Sequence, residues 1–173
     1  MPDAAKFPAS IDGVSNAAID VYTDGACAGN PGPGGWAWAV APDGAPSGSG
    51  GERQSTNQRM EIRAALEALR SIPGPVTVVS DSTYVVNCIN NKWYANWQRN
   101  GWRNSQKQPV ANQDLWKPLI ALYDPKLHTF RWVKGHSGNR MNDLVDALAV
   151  AASKGPFDAP VVEEQPESPS TLF

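Results

Sequence analysis

Sulfur and imidazole are scarce in this chain: 173 residues contain two cysteines, Cys27 and Cys88, and two histidines, His128 and His136. A chain with 41% apolar residues has enough for a core and needs no disulfide scaffold. There is no CxxC pair and no Cys/His cluster, which argues against a zinc site. No apolar run approaches the ~18 residues of a membrane span. Met1 to Ala18 has neither a basic start nor an apolar stretch, so it does not read as a secretion signal. The expectations are reduced thiols, a cytoplasmic location and no membrane partner.

An excess of one charge is lacking as well. The net charge is −2, which by itself argues weakly against a polyanionic partner. Its distribution says more. From Tyr84 to Arg140 nine lysines and arginines face two acids, so this stretch carries +7 and the rest of the chain −9. A basic segment on an acidic chain is an electrostatic footprint.

Residues 1–17 have no period and read as a flexible leader, and residues 154–173, rich in proline and acids, as a disordered tail. A single α/β body over 18–153 remains. Ile19, Val21 and Thr23 alternate with Asp20, Tyr22 and Asp24 as a strand. A turn cluster over 25–35 follows, and Trp36 to Val40 alternates again. The third strand is weak, with only Ser49 to Gln54 available. Asn57 to Ser71 is a helix with Ile62, Ala65, Leu66 and Leu69 on one face, a capping box at Ser55 and Gln58, and a stop at Pro73. Val76 to Ser80 reads as a buried parallel strand. Thr83 to Asn90 is a short helix. Asn112 to Tyr123 is another, with Leu115, Leu119 and Leu122 inward. Leu127 to Val133 is a strand. Met141 to Ser153 is the last helix, with Leu144, Val145, Leu148 and Ala152 inward.

A strand–helix–strand crossover makes the first and fourth strands parallel. Asp24 and Asp81 then stand at the same end of the sheet, where α/β proteins place their sites. Glu61, early in the crossover helix, flanks its apolar face. Asp146 has a similar flank on the last helix. Acids that converge without basic partners need neutralising, and hard divalent cations do this through oxygen ligands. Two such ions about 3.5–4 Å apart stabilise both oxygens exchanged in phosphodiester cleavage. Each acid also has an ordinary alternative. Asp24-Gly25 is a turn pair, Asp81-Ser82 a helix cap, and Glu61 and Asp146 are surface acids.

Four blocks raise the functional reading: Tyr22-Thr-Asp-Gly-Ala-Cys-Ala-Gly-Asn-Pro-Gly-Pro-Gly-Gly-Trp36, Thr56-Asn-Gln-Arg-Met-Glu61, Ser80-Asp-Ser-Thr-Tyr84 and Trp132-Val-Lys-Gly-His-Ser-Gly138. The last continues into Asn142-Asp-Leu-Val-Asp-Ala-Leu-Ala149. In this order they resemble bacterial type 1 ribonuclease H over residues 19–152. The resemblance implies a ribonuclease H-like fold: a five-stranded mixed sheet with strand 2 antiparallel, helices on both faces, and a basic handle at 92–110. It implies an endoribonuclease that cuts the RNA strand of RNA–DNA hybrids as a monomer. Two Mg²⁺ ions are expected, with Mn²⁺ substituting, and products ending in 5′-phosphate and 3′-hydroxyl.

By the same resemblance Asp24, Glu61, Asp81 and Asp146 are metal ligands. His136, in a Gly-flanked segment, is the mobile histidine that assists proton transfer or product release. His128 is structural. Asn30, Asn57 and Gln58 face the minor groove, where ribose 2′-hydroxyls separate RNA from DNA. Thr56 and Asn96 resemble a pocket for a DNA-strand phosphate. Lys92, Trp93, Arg99 and Arg103 belong to the handle, with Trp93 placed to stack on the DNA strand and Trp97 and Trp102 read as packing. Gln98-Arg-Asn100 carries one charge where the family's most basic handles have a dense run, which implies weaker hybrid binding.

Gly32-Pro-Gly34-Gly-Trp-Ala37 fits a dinucleotide fingerprint only formally, since it opens a strand and not a helix. Gly135-His-Ser-Gly138 lacks the final glycine of an acyl-hydrolase elbow. Two rivals stay open: a junction resolvase or strand-transfer nuclease of the same fold, and a hybrid-binding module without catalysis.

Overall fold

The computed structural model describes residues 17–157. Most of the segments read as leader and tail, residues 1–16 and 158–173, lie outside the described residues. The elements are β1 (Ile19–Cys27), β2 (Gly32–Val40), β3 (Ser47–Ser55), α1 (Asn57–Ser71), β4 (Val76–Ser80), α2 (Thr83–Asn90), α3 (Trp93–Arg99), α4 (Gln113–Leu122), β5 (His128–Trp132) and α5 (Arg140–Ala152).

They form a five-stranded mixed sheet in the order β3-β2-β1-β4-β5. β2 is antiparallel to β1, and β1, β4 and β5 are parallel neighbours, as the crossover requires. Alternation along β1 sends Val21 to one face and Tyr22 to the other. Val21 joins Met60, Ile62, Leu66 and Trp116 under α1 and α4. Tyr22 joins Met141, Val145 and Ala149 under α5. No helix among the described residues is long and apolar enough to cross a membrane.

Several elements depart from expectation. β1 and β2 run through the glycine cluster read as a turn, and only 28–31 connect them. β3 is nine residues long despite its glycines. The compensation comes from β2. The Trp38 and Trp36 indoles lie across Gly48 and Gly50, where a Cβ would sit 2.5 and 2.6 Å from a ring atom. An aromatic lying on a glycine in the neighbouring strand replaces the missing side-chain packing. The cap of α1 is Thr56, which accepts from Arg59 N–H, and not Ser55, whose hydroxyl is buried at the end of β3. Leu122 is 40% exposed rather than inward, while Leu115 and Leu119 are buried.

Phe157, in the segment assigned to the tail, lies against the body. Its ring is 5.2 Å from the Arg53 guanidinium carbon, and it borders Gly51. Ending the chain after Phe157 is therefore expected to leave the melting temperature unchanged, whereas ending it after Ser153 costs roughly 1 kcal/mol. Equal melting of the two truncated proteins would show that this contact contributes nothing.

Candidate active site

The sheet presents its carboxylates at the carboxyl ends of the parallel strands. Asp24 follows the last β1–β4 pair, Thr23 with Ser80, and Asp81 follows Ser80 directly. Asp24 is 4% exposed. Glu61 arrives from the second turn of α1. One oxygen each of Asp24, Glu61 and Asp81 lie within 4.8 Å of one another. The Gly25 N–H donates to Asp24 Oδ1 at 2.9 Å and to Glu61 Oε1 at 3.2 Å. The other oxygen, Glu61 Oε2, is buried without a hydrogen-bond partner. Ser82 caps α2 through Val85 N–H, so Asp81 is not spent as a helix cap. Asp146 lies outside this close cluster, yet near enough for its charge to act on Asp24.

Burial and the neighbouring acids set the electrostatics of the group. Burial raises the Asp24 carboxyl, hydrogen bonding with Glu61 offsets part of this, and the Asp81 charge raises it again, to about 7. Glu61 is pushed well above the ordinary carboxylate range, first by burial and then by the Asp24 charge. An all-oxygen set with an unpartnered buried carboxylate oxygen fits a hard divalent cation.

These shifts give a stability prediction for metal-free protein. Both acids bind protons more tightly folded than unfolded. Their contribution is fully present below the unfolded value of ~4; that of Asp24 is lost as pH rises through about 7, and that of Glu61 is lost in the same direction. Melting in chelator should show this loss between about pH 4.5 and pH 7.5, and added Mg²⁺ should oppose it increasingly as pH rises. A cation effect that does not grow with pH would count against the clustered acids.

The remaining expected residues are placed less closely together. His136 is exposed, on the loop between β5 and α5, with a left-handed φ of 52°. His128 Nδ1 accepts from Asp124 N–H at 2.9 Å, and burial lowers its pKa, in keeping with a structural histidine. Asn30 and Asn57 do meet: Asn30 Oδ1 accepts from Asn57 N–H at 3.2 Å. Gln58, next along α1, is exposed. Thr56 Oγ1 is engaged as the α1 cap, and Asn96 Oδ1 accepts from the Arg99 guanidinium, so these two acceptors point to other work.

In the handle, Lys92 adopts a left-handed φ of 55° ahead of α3, and Arg103 donates to the Lys107 carbonyl at 2.9 Å. Trp93, Asn96 and Arg103 line one surface groove. Trp97 and Trp102 pack rather than project. Trp97 packs at a tilt against Trp102 at 5.9 Å and Trp116 at 5.7 Å between ring centres, and Trp116 donates to the Tyr84 hydroxyl at 3.1 Å. The handle is thus rooted in the core by aromatic contacts worth about 0.5–1.5 kcal/mol each beyond burial.

Sequence reasoning missed the groups that hold Asp81. Asn142 Nδ2 donates to Asp81 Oδ2 at 3.3 Å, and Trp132 Nε1 donates to the Asp81 backbone carbonyl at 3.0 Å. Arg59 was missed as well; it forms a two-pronged ion pair with Asp114 at 2.9 and 2.6 Å, which ties α1 to α4. The i,i+4 spacing of Asn142 and Asp146 was the one available signal, since it puts both on one face of α5.

Fold and acidic cluster together define an α/β protein with a carboxylate cluster able to hold a metal ion at the carboxyl ends of its inner strands. The family model for RNase H matches residues 16–154. A ribonuclease H of Syntrophomonas wolfei is 51% identical over 140 residues, covering 79% of this chain and 96% of that one. One from Nitratidesulfovibrio vulgaris is 50% identical over 136 residues, covering 77% and 87%. Among solved structures, LC9-RNase H1, described as a type 1 RNase H with the type 2 active-site motif, superposes with a TM-score of 0.67 at 30% identity, covering 79% of this chain and 72% of that one. The chain belongs to the ribonuclease H family.

Proposed function

We propose that this protein is an endoribonuclease that hydrolyses the RNA strand of RNA–DNA hybrids and leaves 5′-phosphate and 3′-hydroxyl ends. The observation that carries the reading is the Asp24–Glu61–Asp81 cluster, three carboxylates within 4.8 Å with a buried, unpartnered oxygen on Glu61. Asp24, Glu61, Asp81 and Asp146 would hold two Mg²⁺ ions, with Mn²⁺ able to replace them. Bound there, divalent ions neutralise the acids, supply a nucleophile at neutral pH and stabilise charge on the attacking and leaving oxygens.

The protein's own groups do the rest. The Gly25 N–H holds Asp24 and Glu61 in fixed relation. The Asn30 acceptor is taken by Asn57 N–H, which leaves the Asn30 amide protons and the side chains of Asn57 and Gln58 to read ribose 2′-hydroxyls. Thr56 keeps its hydroxyl proton, and Asn96 its amide protons, as donors to a phosphate of the DNA strand. His136, on its exposed loop, is placed to move a proton at the leaving oxygen or to help product depart. Lys92, Trp93, Arg99 and Arg103 face the DNA strand. The protein works as a monomer in the cytoplasm, its Cys27 and Cys88 thiols free.

Incubation with hybrid, duplex RNA and duplex DNA, with and without Mg²⁺, tests the reading. Cleavage of the RNA in hybrid alone, dependent on the ion, is expected. A 2′,3′-cyclic end, or cutting of duplex DNA in preference to hybrid, would overturn it in favour of a metal-free ribonuclease or a DNA nuclease of the same fold.

The handle gives a second expectation. Replacing Arg99, Arg103 and Lys107 with Ala should raise KM and flatten its salt dependence by about one unit per lost phosphate contact, with kcat little changed. A fall in kcat at saturating hybrid with KM unchanged would show that the handle shapes the site instead.

A further inference from the structure

Asp81 is held more tightly than a solvent-facing acid needs to be. Asn142, which donates to its Oδ2, is 2% exposed and comes from α5, 61 positions along the chain. Asparagine is a poor choice for the buried face of a helix, since its amide loses water and competes with the helix backbone. Nor does it serve the helix end. Asn139 is the cap of α5 and accepts from the Asn142 N–H at 3.0 Å, so the Asn142 side chain is not needed there. On another side, a Cβ at Gly135 would lie 2.6 Å from Asp81 Oδ2, so the chain passes against the carboxylate with no side chain between. The Trp132 indole fixes the Asp81 carbonyl from β5.

We propose that Asn142 is a positioning residue for the metal site, its amide setting the Asp81 carboxylate in the orientation that a cation shared with Asp24 and Glu61 requires. The inference rests on the metal-dependent reading above. A neutral donor suits this task. It fixes the carboxylate by one hydrogen bond without cancelling the negative charge that draws the cation, whereas a lysine or arginine there would compete with it. Because Asn142 and Asp146 share one face of α5, the helix turns two groups toward the acidic cluster, the amide that meets Asp81 and a carboxylate whose charge reaches Asp24.

Asn142→Leu, which replaces the donor by an apolar side chain of similar size, and Asn142→Ala test the proposal. The dissociation constant for Mg²⁺ measured by calorimetry without substrate should rise about 10- to 100-fold, the usual cost of losing a group that orients a ligand. The Mg²⁺ midpoint for cleavage should move the same way, and KM for hybrid at saturating Mg²⁺ should hold. Folded variants that melt lower in chelator but bind Mg²⁺ like the parent would reduce Asn142 to a helix-packing residue. Raised KM with unchanged Mg²⁺ affinity would make it a substrate contact, which also overturns the proposal. Should both variants fail to fold, the Asn142 amide protons of the intact protein decide. Their NMR signals should move over a Mg²⁺ titration and on Asp81→Asn, and signals indifferent to both would refute the contact. A parent that neither binds Mg²⁺ nor cuts hybrid removes the functional reading itself. A parent that does both, beside variants that match it, removes only the role of Asn142.

Discussion

Asp81→Asn is expected to lower cleavage of hybrid by about a hundred- to a thousandfold or more, since it removes one electrostatic element of a preorganised site. The fold should survive. The change is isosteric, Asp81 caps no helix, and it relieves a repulsion felt by both Asp24 and Glu61. In chelator the variant should therefore melt at the parent's temperature or above it. Calorimetry should show weakened Mg²⁺ binding in parallel with the lost activity. A variant that melts several degrees lower without metal would make Asp81 a structural residue held by Asn142 and Trp132 for the sake of the fold.

Gly25→Ala should fail differently, by breaking the frame and not the chemistry. A Cβ at this position would stand 2.4 Å from both Glu61 N and the Met60 carbonyl carbon. These are backbone atoms of α1, which cannot rotate aside. β1 and α1 must separate, at a cost of roughly 3 kcal/mol or more. The same displacement moves Glu61 away from Asp24 and strains the N–H that holds both acids. Activity per folded molecule should thus fall about a hundredfold even where the protein folds, as misplacement near 1 Å does elsewhere. Denaturant melts with cleavage corrected for the folded fraction would measure the two effects apart. Parent-like stability with full turnover would mean that β1 and α1 do not approach as described.

Legibility in the sequence followed the range of the interactions. The crossover from β1 through α1 to β4 was readable because local periodicity and the handedness of connections determine it. That crossover alone places Asp24, Asp81 and Glu61 near one another. β3 was readable only as a weak strand, shorter than it is, since its glycines find their packing in Trp36 and Trp38 on the neighbouring strand. Thr56 displaced Ser55 as the cap because β3 runs to Ser55 and takes it into the sheet. Leu122 turned outward where the periodicity of α4 placed it inward, and the handle's left-handed residues Lys92, Trp102 and Lys107 carry no mark in composition. Asn142 was hidden for the same reason: its partner is distant in sequence, and an asparagine one turn before an acid is unremarked until the helix docks.

The last of these elements bears on timing. α5 is the final helix of the body, and it lies against β1 and β2 on the side opposite α1. During synthesis, the strands and α1 emerge with Asp24, Glu61 and Asp81 long before Arg140 to Ala152 leave the ribosome. Until then Asp81 lacks its amide and Asp24 lacks the nearby charge of Asp146. A stalled or prematurely ended chain would hold three of the four acids without the amide that meets Asp81.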